Sequence, residues 1–161
     1  MSQNPSKSSK MPVTLREITA ETVRLITDLK VREEQERFVA SNAVSLAEAL
    51  FNEEAWFRAI YYGESPVGFV MLYDETLRKM LPANPEVFLW RFMVDARFQR
   101  KGIGKAALDL VIAHVRTKGV FSSITTSYVS EPGSPEGFYL SQGFQHTGKM
   151  IDGEVVLERS L

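Results

Sequence analysis

Three consecutive segments decide the fold of this chain: VFLWRFMVD at residues 87–95, ARFQRKGIGK at 96–105 and AALDL at 106–110. The first is apolar and aromatic, which predicts a buried strand. Apolar residues then recur at helical spacing, which predicts a helix over 102–118. Between strand and helix lie two glycines among four cations, namely Arg97, Arg100, Lys101 and Lys105.

The two glycines of this loop, Gly102 and Gly104, predict an anion site. Glycine lets a backbone approach a ligand closely because no Cβ is in the way. The free N–H groups at a helix start, with the positive end of the helix dipole, attract an anion. Strand, glycine loop and helix therefore predict a phosphate or pyrophosphate site. The alternative is a plain turn before a helix, but a turn alone does not need the surrounding cations.

Two common nucleotide motifs fit this loop poorly. GIGKAA at 102–107 matches the loose dinucleotide pattern G-x-G-x-x-A. In that fold the first glycine follows its strand closely within a larger parallel array, whereas here several residues separate Asp95 from Gly102. The chain contains no G-x-x-x-x-G-K-[ST], so a nucleotide triphosphatase loop is not supported.

QRKGIG at 99–104 instead resembles the Q/R-x-x-G-x-G/A signature of the GNAT acetyltransferase superfamily. FMVD at 92–95 stands where that family has its cofactor-holding strand, and GFYLSQGF at 137–144 resembles its F-Y-x-x-x-G-F segment. The residues around 89–95 look closest to bacterial spermidine/diamine acetyltransferases. The resemblance implies a mixed α/β (α+β) GNAT-like fold. Its twisted, mostly antiparallel sheet would be flanked by helices and splayed between strands 87–95 and 120–129, with the cofactor in the splay.

The resemblance also implies acetyl-CoA as co-substrate, with no metal. The pantetheine arm would meet the backbones of Met93 and Val94, and an N–H of Phe92 or Met93 would donate to the acetyl oxygen. The expected cofactor-binding residues are Phe92, Met93, Val94, Gln99, Arg100, Lys101, Gly102, Ile103, Gly104 and Lys105.

Tyr139 is the expected catalytic residue. Acetyl transfer needs a neutral amine, yet only about one in two thousand lysine-like amines is neutral at pH 7. It also needs a donor for the carbonyl oxygen and a proton for the leaving thiolate. A phenol remains protonated at neutral pH and can still donate, and the resemblance places a tyrosine at this step. The alternative is an aromatic side chain that only packs on the core.

Acidic residues are the candidates for holding a cationic acceptor or accepting its proton. Glu33, Glu34 and Glu36 form an acidic run, although such a run is more often a solvated helix face. Asp74 and Glu75 end a strand near the expected substrate mouth, where a turn is the alternative. The sequence does not decide between these groups or a base that acts through water.

Two positions depart from the family pattern. Trp90 stands where polyamine acetyltransferases carry an acid, and an indole interacts with an ammonium only through its π face. Arg91 beside it is expected to face either the substrate pocket or a carboxylate partner. Pro132 replaces an asparagine that touches the cofactor in many members, and Ser130 or Ser134 could substitute.

Composition limits the classes of function. The chain has 161 residues and a net charge of −1, which does not favour nucleic acid or an anionic membrane as partner. It has no cysteine, which excludes disulfides, thiolate catalysis and cysteine-ligated zinc, and its two histidines lie far apart. No apolar run suggests a membrane span or signal peptide, so a cytoplasmic location is expected, and a homodimer is left open.

The chain is expected to comprise a disordered tail at 1–10 and a single domain at 11–161. Ser45 with Glu48 resembles a capping box for a short helix. The predicted strands are 13–18, 56–62, 67–73, 87–95, 120–129, 144–150 and 154–159. The predicted helical segments are 19–30, 31–40, 45–51, 102–118 and 134–142.

Three functions follow from these features. The first is an acetyl-CoA-dependent N-acetyltransferase that acts on a small primary amine, such as the polyamine spermidine. The second is the same chemistry on a protein N-terminus or lysine. The third is a non-catalytic module that binds acetyl-CoA, which would keep the phosphate loop without a working Tyr139 or base.

Overall fold

The computed structural model describes residues 10–161. This part of the chain contains seven strands, four α-helices and three short 3₁₀ segments. The strands are β1 Val13–Arg16, β2 Ala55–Tyr62, β3 Ser65–Asp74, β4 Val87–Val94, β5 Ser123–Tyr128, β6 Gln145–Ile151 and β7 Glu154–Ser160. The helices are α1 Val23–Thr27, α2 Asn42–Ala49, α3 Ile103–Thr117 and α4 Glu136–Ser141. The 3₁₀ segments are Glu33–Phe38, Glu75–Leu77 and Ala96–Phe98.

One sheet contains all seven strands in the order β1-β2-β3-β4-β5-β7-β6. Every neighbouring pair is antiparallel except β4 and β5. That parallel pair has a single registered position, Phe88 opposite Thr125. Beyond it the two strands separate, so the predicted splay between residues 87–95 and 120–129 is present. The mixed, mostly antiparallel sheet with flanking helices confirms the predicted fold class.

A bulge lies in β4 at Trp90. Leu89 pairs with Leu72 and Arg91 with Met71, so Trp90 has no partner on β3. A bulge of this kind shifts the alternation of side chains by one residue. Leu89 and Phe92 consequently face the same side of the sheet although they are three residues apart.

The sheet carries a hydrophobic cluster on each face. One cluster joins the sheet to α3 through residues such as Ile103, Leu108 and Ile112, because α3 has a broad apolar stripe. The other cluster joins Phe69 and Met71 to Ile26 of α1 and Leu46 of α2. Both clusters contact β4, which holds this strand firmly in the centre of the sheet.

Two local predictions are confirmed by the backbone. The helix predicted over 102–118 is α3, and the chain leaves it through Gly119 at φ 67°. The turn predicted at Asp152 and Gly153 joins β6 to β7. Both residues have positive φ, at 51° and 81°, as a type I′ hairpin turn requires.

The region before β2 differs from its prediction. The helix expected over 19–30 is shorter, because the Lys30 N–H donates to Asp95 Oδ2 and the Lys30 carbonyl accepts from Ala96. These contacts draw the chain out of the helix after Thr27. The segment expected as helix over 31–40 is the 3₁₀ segment Glu33–Phe38. There Gln35 satisfies both the N–H and the carbonyl of Arg32 within one tight turn.

The predicted capping box at Ser45 is wrong. The short helix starts earlier, with Ser41 as its N-cap and the Ser41 hydroxyl accepting from the Val44 N–H at 3.2 Å. Ser45 lies inside the helix and is buried, and its hydroxyl donates to the Ser41 carbonyl. The pattern was misleading because Ser41 and Ser45 are one helical turn apart. The predicted tail lies outside the described residues, apart from Lys10.

Candidate active site

A cavity of about 1100 Å³ occupies the space where β4 and β5 separate. Its walls come from β4, β5, α4, the Glu33–Phe38 segment, the loop between β4 and α3, and the turn between β6 and β7. The splay creates this cavity because two strands that no longer share hydrogen bonds leave their facing edges open. A cavity of this volume suits a small-molecule ligand.

The loop between β4 and α3 forms one wall of the cavity. Gly102 is the N-cap of α3 at φ 78°, and Arg100 also has a positive φ of 60°. A Cβ at Gly104 would lie 3.4 Å from the Phe138 ring, so glycine also permits the close contact between α3 and α4. Gly102, Gly104 and Lys105 at the start of α3 line the cavity together with Arg100, so this end of the helix suits an anion.

Gln99 fixes the entry to this loop. Its side-chain Nε2 donates to the Val94 carbonyl at 2.9 Å and to Gln35 Oε1 at 2.8 Å. The same Gln35 oxygen accepts from the Arg32 N–H. The signature glutamine thus joins the end of β4 to the Glu33–Phe38 segment, and both Gln99 and Gln35 line the cavity.

Tyr139 lies on α4 and lines the cavity while only 6% of its surface is exposed. Its ring packs edge to face against Phe138 and Phe144, each with centroids 5.4 Å apart. Burial raises the pKa of the Tyr139 phenol to about 12, against a smaller opposite effect from the Thr126 hydroxyl. The phenol is therefore protonated throughout the neutral range.

Most of the residues expected in the site meet at this cavity. Those that line it are Trp90, Arg91, Phe92, Met93, Val94, Gln99, Arg100, Gly102, Gly104, Lys105 and Tyr139. Lys101 and Ile103 do not line it. The Lys101 ammonium lies 5.6 Å from the centre of the Phe98 ring, and Ile103 is buried against the core.

The structure separates the acidic candidates. Glu36 lines the cavity, whereas Glu33 and Glu34 are exposed outside it. Asp74 also lies outside, buried at the end of β3. Its carboxylate accepts from the Thr76 N–H at 2.9 Å and approaches the Lys118 ammonium at 3.7 Å. These contacts make Asp74 a structural residue at the start of the 75–86 connection.

Arg91 both lines the cavity and has a carboxylate partner. Its Nη2 donates to Glu48 Oε2 of α2 at 2.9 Å, and its Nη1 donates to the Trp90 carbonyl. Its guanidinium carbon lies 5.2 Å from the centre of the Trp90 ring. Glu48 was missed as a site residue because a contact across 43 residues of sequence leaves no local pattern.

Two more carboxylates line the cavity, from Asp152 and Glu154 at the turn between β6 and β7. The Glu154 carboxylate accepts from the Ser127 hydroxyl at 2.9 Å. The turn was recognisable in the sequence, but its position over the cavity follows only from the strand order β5-β7-β6. Ser134 lines the cavity as well, whereas Ser130 does not.

Within residues 10–161 no group of three or more acidic, histidine or cysteine side chains could hold a metal ion. His146 pairs with Glu136 at 3.0 Å on the outer strand, and His114 stacks on Trp56 away from the cavity. None of the helices in this range is long and apolar enough to cross a membrane.

Comparison with known proteins supports one family. The model of the acetyltransferase (GNAT) family matches residues 20–144. A spermine/spermidine N(1)-acetyltransferase of Bacillus subtilis is 29% identical over 163 residues, covering 94% of this chain and all of the relative.

Solved structures with less than 25% identity support the same fold. The PaiA N-acetyltransferase of Thermoplasma acidophilum, in complex with coenzyme A, matches at a TM-score of 0.68 and 16% identity. That match covers 94% of this chain and 100% of that one. The ribosomal-protein-S18-alanine N-acetyltransferase of Escherichia coli matches at a TM-score of 0.64 and 15% identity. That match covers 92% of this chain and 94% of that one.

The family match spans the splayed strands, the glycine loop and α4, which build most of the cavity. This chain belongs to the GNAT acetyltransferase family, and it is an N-acetyltransferase whose co-substrate is acetyl-CoA.

Proposed function

We propose that this enzyme acetylates a primary amine of a small polycation of the spermidine class. The observation that carries the proposal is the charge of the cavity wall. Glu36, Asp152 and Glu154 supply three carboxylates to the cavity. Of the cations that line it, Arg91 is paired with Glu48, Arg37 with Glu131 and Lys105 with Asp109, whereas Arg100 belongs to the glycine loop. Such a wall attracts an ammonium and disfavours an acidic acceptor. The name of the Bacillus subtilis relative agrees with this acceptor.

We propose that the glycine loop holds the pyrophosphate of the donor. Gly102 and Gly104 leave room for a close approach, and Arg100 has no carboxylate partner within residues 10–161. The backbone edge of β4 beyond Leu89 faces the open splay and offers hydrogen-bonding groups to the pantetheine arm. An N–H of Phe92 or Met93 is the proposed donor to the acetyl oxygen.

The reaction requires protons to leave the acceptor and a negative charge on sulfur to be stabilised. As the amine nitrogen bonds to the acetyl carbon, the carbon–sulfur bond breaks and leaves a thiolate, and the nitrogen loses a proton. Carboxylates on the cavity wall are the candidate acceptors for that proton, directly or through water. Acetyl-CoA supplies the activated acyl group; the chain supplies position and hydrogen bonds.

Tyr139 is the proposed donor to the sulfur. With its pKa raised to about 12, the phenol is a weaker acid than an ordinary thiol near 8.5. Complete proton transfer to the thiolate is therefore uphill. The favourable contribution is a charge-assisted hydrogen bond that strengthens as the sulfur becomes negative.

The proposal extends to location and assembly. We propose a cytoplasmic enzyme with a small amine as its partner, and with neither nucleic acid nor membrane as a ligand. A homodimer is included because Leu50, Phe51 and Met80 expose more than four-fifths of their surface, at 82%, 87% and 86%. Sedimentation of the purified protein tests the assembly.

A substrate panel tests the acceptor. Release of CoA is measured with spermidine, spermine, aminoglycosides, amino acids and short peptides under the same conditions. Polyamines should give the highest kcat/KM. Preferred turnover of peptides would instead support acetylation of protein N-termini or lysines, and turnover of acidic or neutral amines alone would contradict the charge argument. Hydrolysis without any acceptor serves as the blank.

A further inference from the structure

Lys10 reaches the glycine loop from the other end of the chain. A Cβ built on Gly102 would lie 3.2 Å from Lys10 Nζ, so the ammonium sits directly beside the N-cap of α3. Sequence patterns assign Lys10 to a polar tail. Its position beside the loop comes from the fold alone.

The strand pairing explains this approach. Met11 contacts Gly63, and the Pro12 carbonyl accepts from the Gly63 N–H, which places the start of β1 at the turn between β2 and β3. Gly68, just after that turn, pairs with Val94 at the end of β4. The start of β1 and the end of β4 are therefore at the same end of the sheet. Helix α3 also packs against β1, and Lys10, which precedes β1, lies beside the N-cap of this helix.

The position of the Lys10 ammonium is electrostatically unfavourable unless an anion binds beside it. An ammonium beside the N-terminus of a helix meets the positive end of the helix dipole, and Arg100 adds another positive charge to the loop. Lys10 forms no ion pair within residues 10–161, and residues 1–9 contain no aspartate or glutamate. Cations that converge on free N–H groups, with no acid among them, suit a bound phosphate.

We propose that Lys10 is a donor-binding residue that contacts the pyrophosphate of acetyl-CoA at Gly102. This inference rests on the proposed donor site and adds a cation from outside the family signature to it. Because the Lys10 side chain is exposed, its replacement removes a charge without disturbing the core.

The test compares Lys10→Gln with the unaltered enzyme in its binding of CoA by calorimetry. Loss of one charge-assisted contact at an exposed position should raise the dissociation constant by about fivefold. The kcat/KM values of Lys10→Gln and the unaltered enzyme are then compared with three acetyl donors, to locate the group that Lys10 contacts. Acetyl-CoA and acetyl-dephospho-CoA, which lacks the 3′-phosphate, should both show the loss. Acetyl-pantetheine, which has no phosphate, should not.

Controls make each outcome decisive. Lys79→Gln removes a lysine from the connection between β3 and β4, at the opposite end of those strands, and should leave CoA binding unchanged. Lys10→Arg should retain most of the affinity. An equal loss with acetyl-pantetheine, a loss confined to the donor with the 3′-phosphate, or no loss at all would overturn the proposal.

Failure of the proposed donor site can be distinguished from failure of the proposed role of Lys10. If the unaltered enzyme uses acetyl-pantetheine as well as acetyl-CoA, no phosphate is recognised and both ideas fall. If it discriminates between these donors but Lys10→Gln discriminates equally well, only the role of Lys10 is wrong. The calorimetry needs no acceptor, so the effect of Lys10→Gln on CoA binding does not depend on the polyamine assignment.

Discussion

The guanidinium of Arg91 is bound to the carboxylate of Glu48, with 2.9 Å between Nη2 and Oε2. Arg91 stands on the strand that lines the cavity, and Glu48 stands on helix α2. Arg91 Nε is buried without a hydrogen-bond partner, so the guanidinium depends on Glu48 for charge compensation. This pair compensates the charge of Arg91 where that residue lines the cavity.

Glu48→Gln should reduce the use of cationic acceptors. The amide keeps the size and an acceptor oxygen but leaves the Arg91 charge uncompensated, so kcat/KM for spermidine should fall several-fold with little change in CoA affinity. Glu53→Gln, at an exposed position just after α2, is the matched control. Unchanged kinetics with spermidine would show that Arg91 does not influence the acceptor.

Gly102→Asp should abolish binding of acetyl-CoA while the domain stays folded. The new carboxylate would stand beside Lys10 and repel the pyrophosphate. Gly102→Asn has the same size and tolerates positive φ, so it separates charge from bulk. Gly119→Asn, where φ is 67° and nothing lies within 4 Å of a new Cβ, controls for backbone strain. Calorimetry that shows unchanged affinity in folded Gly102→Asp would remove the phosphate loop from the proposal.

Tyr139→Phe should lower kcat by roughly 10- to 100-fold, the value of one hydrogen bond to a charged atom. The dissociation constant of acetyl-CoA should remain within a few-fold. Because the pKa of Tyr139 is raised to about 12, turnover of the unaltered enzyme should show no alkaline loss from this group below pH 10. Tyr128→Phe, a buried tyrosine on β5, is the control. Equal kcat in both variants would make Tyr139 a packing residue.

Glu36→Gln should lower the rate with spermidine and weaken its dependence on salt. Glu36 lines the cavity, so it attracts a cationic acceptor, and this attraction is screened as the Debye length falls to about 8 Å. Glu34→Gln removes an equal charge two residues away, outside the cavity. The same effect in both variants would indicate general attraction by the acidic segment instead of contact in the site.

Acid should destabilise the fold through His114. Its ring stacks on the Trp56 ring with 4.1 Å between the ring centres, and its Nε2 is buried without a hydrogen-bond partner. Burial lowers the pKa of His114 from 6.5, and Lys118 and Arg58 lower it further, against a smaller opposite effect from Asp74. The unfolded chain therefore binds this proton more readily. The stabilising contribution is complete above pH 6.5 and declines as the pH falls toward the lowered pKa.

Urea unfolding between pH 7.5 and 5, followed by tryptophan fluorescence, measures this decline. His114→Phe keeps an aromatic ring on Trp56 but cannot bind the proton, so its free energy of unfolding should change less over this range. His146→Gln, at an exposed position on β6, should keep the decline. Parallel curves for His114→Phe and the unaltered protein would exclude His114 as the cause.

The parts of the fold that sequence predicted well are those with local causes. The aromatic strand, the glycine loop and the apolar stripe of α3 each lie within about twenty residues, so periodicity and turn chemistry identify them. The early helices were predicted less well, because Asp95 binds the backbone of Lys30 from 65 residues away. The residues of the candidate site show the same difference between local and long-range causes. Most residues near the signature line the cavity, whereas Glu48 reaches Arg91, and Asp152 and Glu154 reach the cavity, through long-range packing.

Because β4 and β5 share a single registered pair, hydrogen exchange of their backbone amides can show whether the donor site is occupied. Between Leu89 and Val94 the edge of β4 that faces the splay has no neighbouring strand, so its N–H groups lack protection from that side. Deuterium uptake there should be fast in the free enzyme and slow once the pantetheine arm occupies the gap. The opposite edge, paired with β3, should exchange slowly in both states. Occupancy of the donor site can thus be followed residue by residue without turnover.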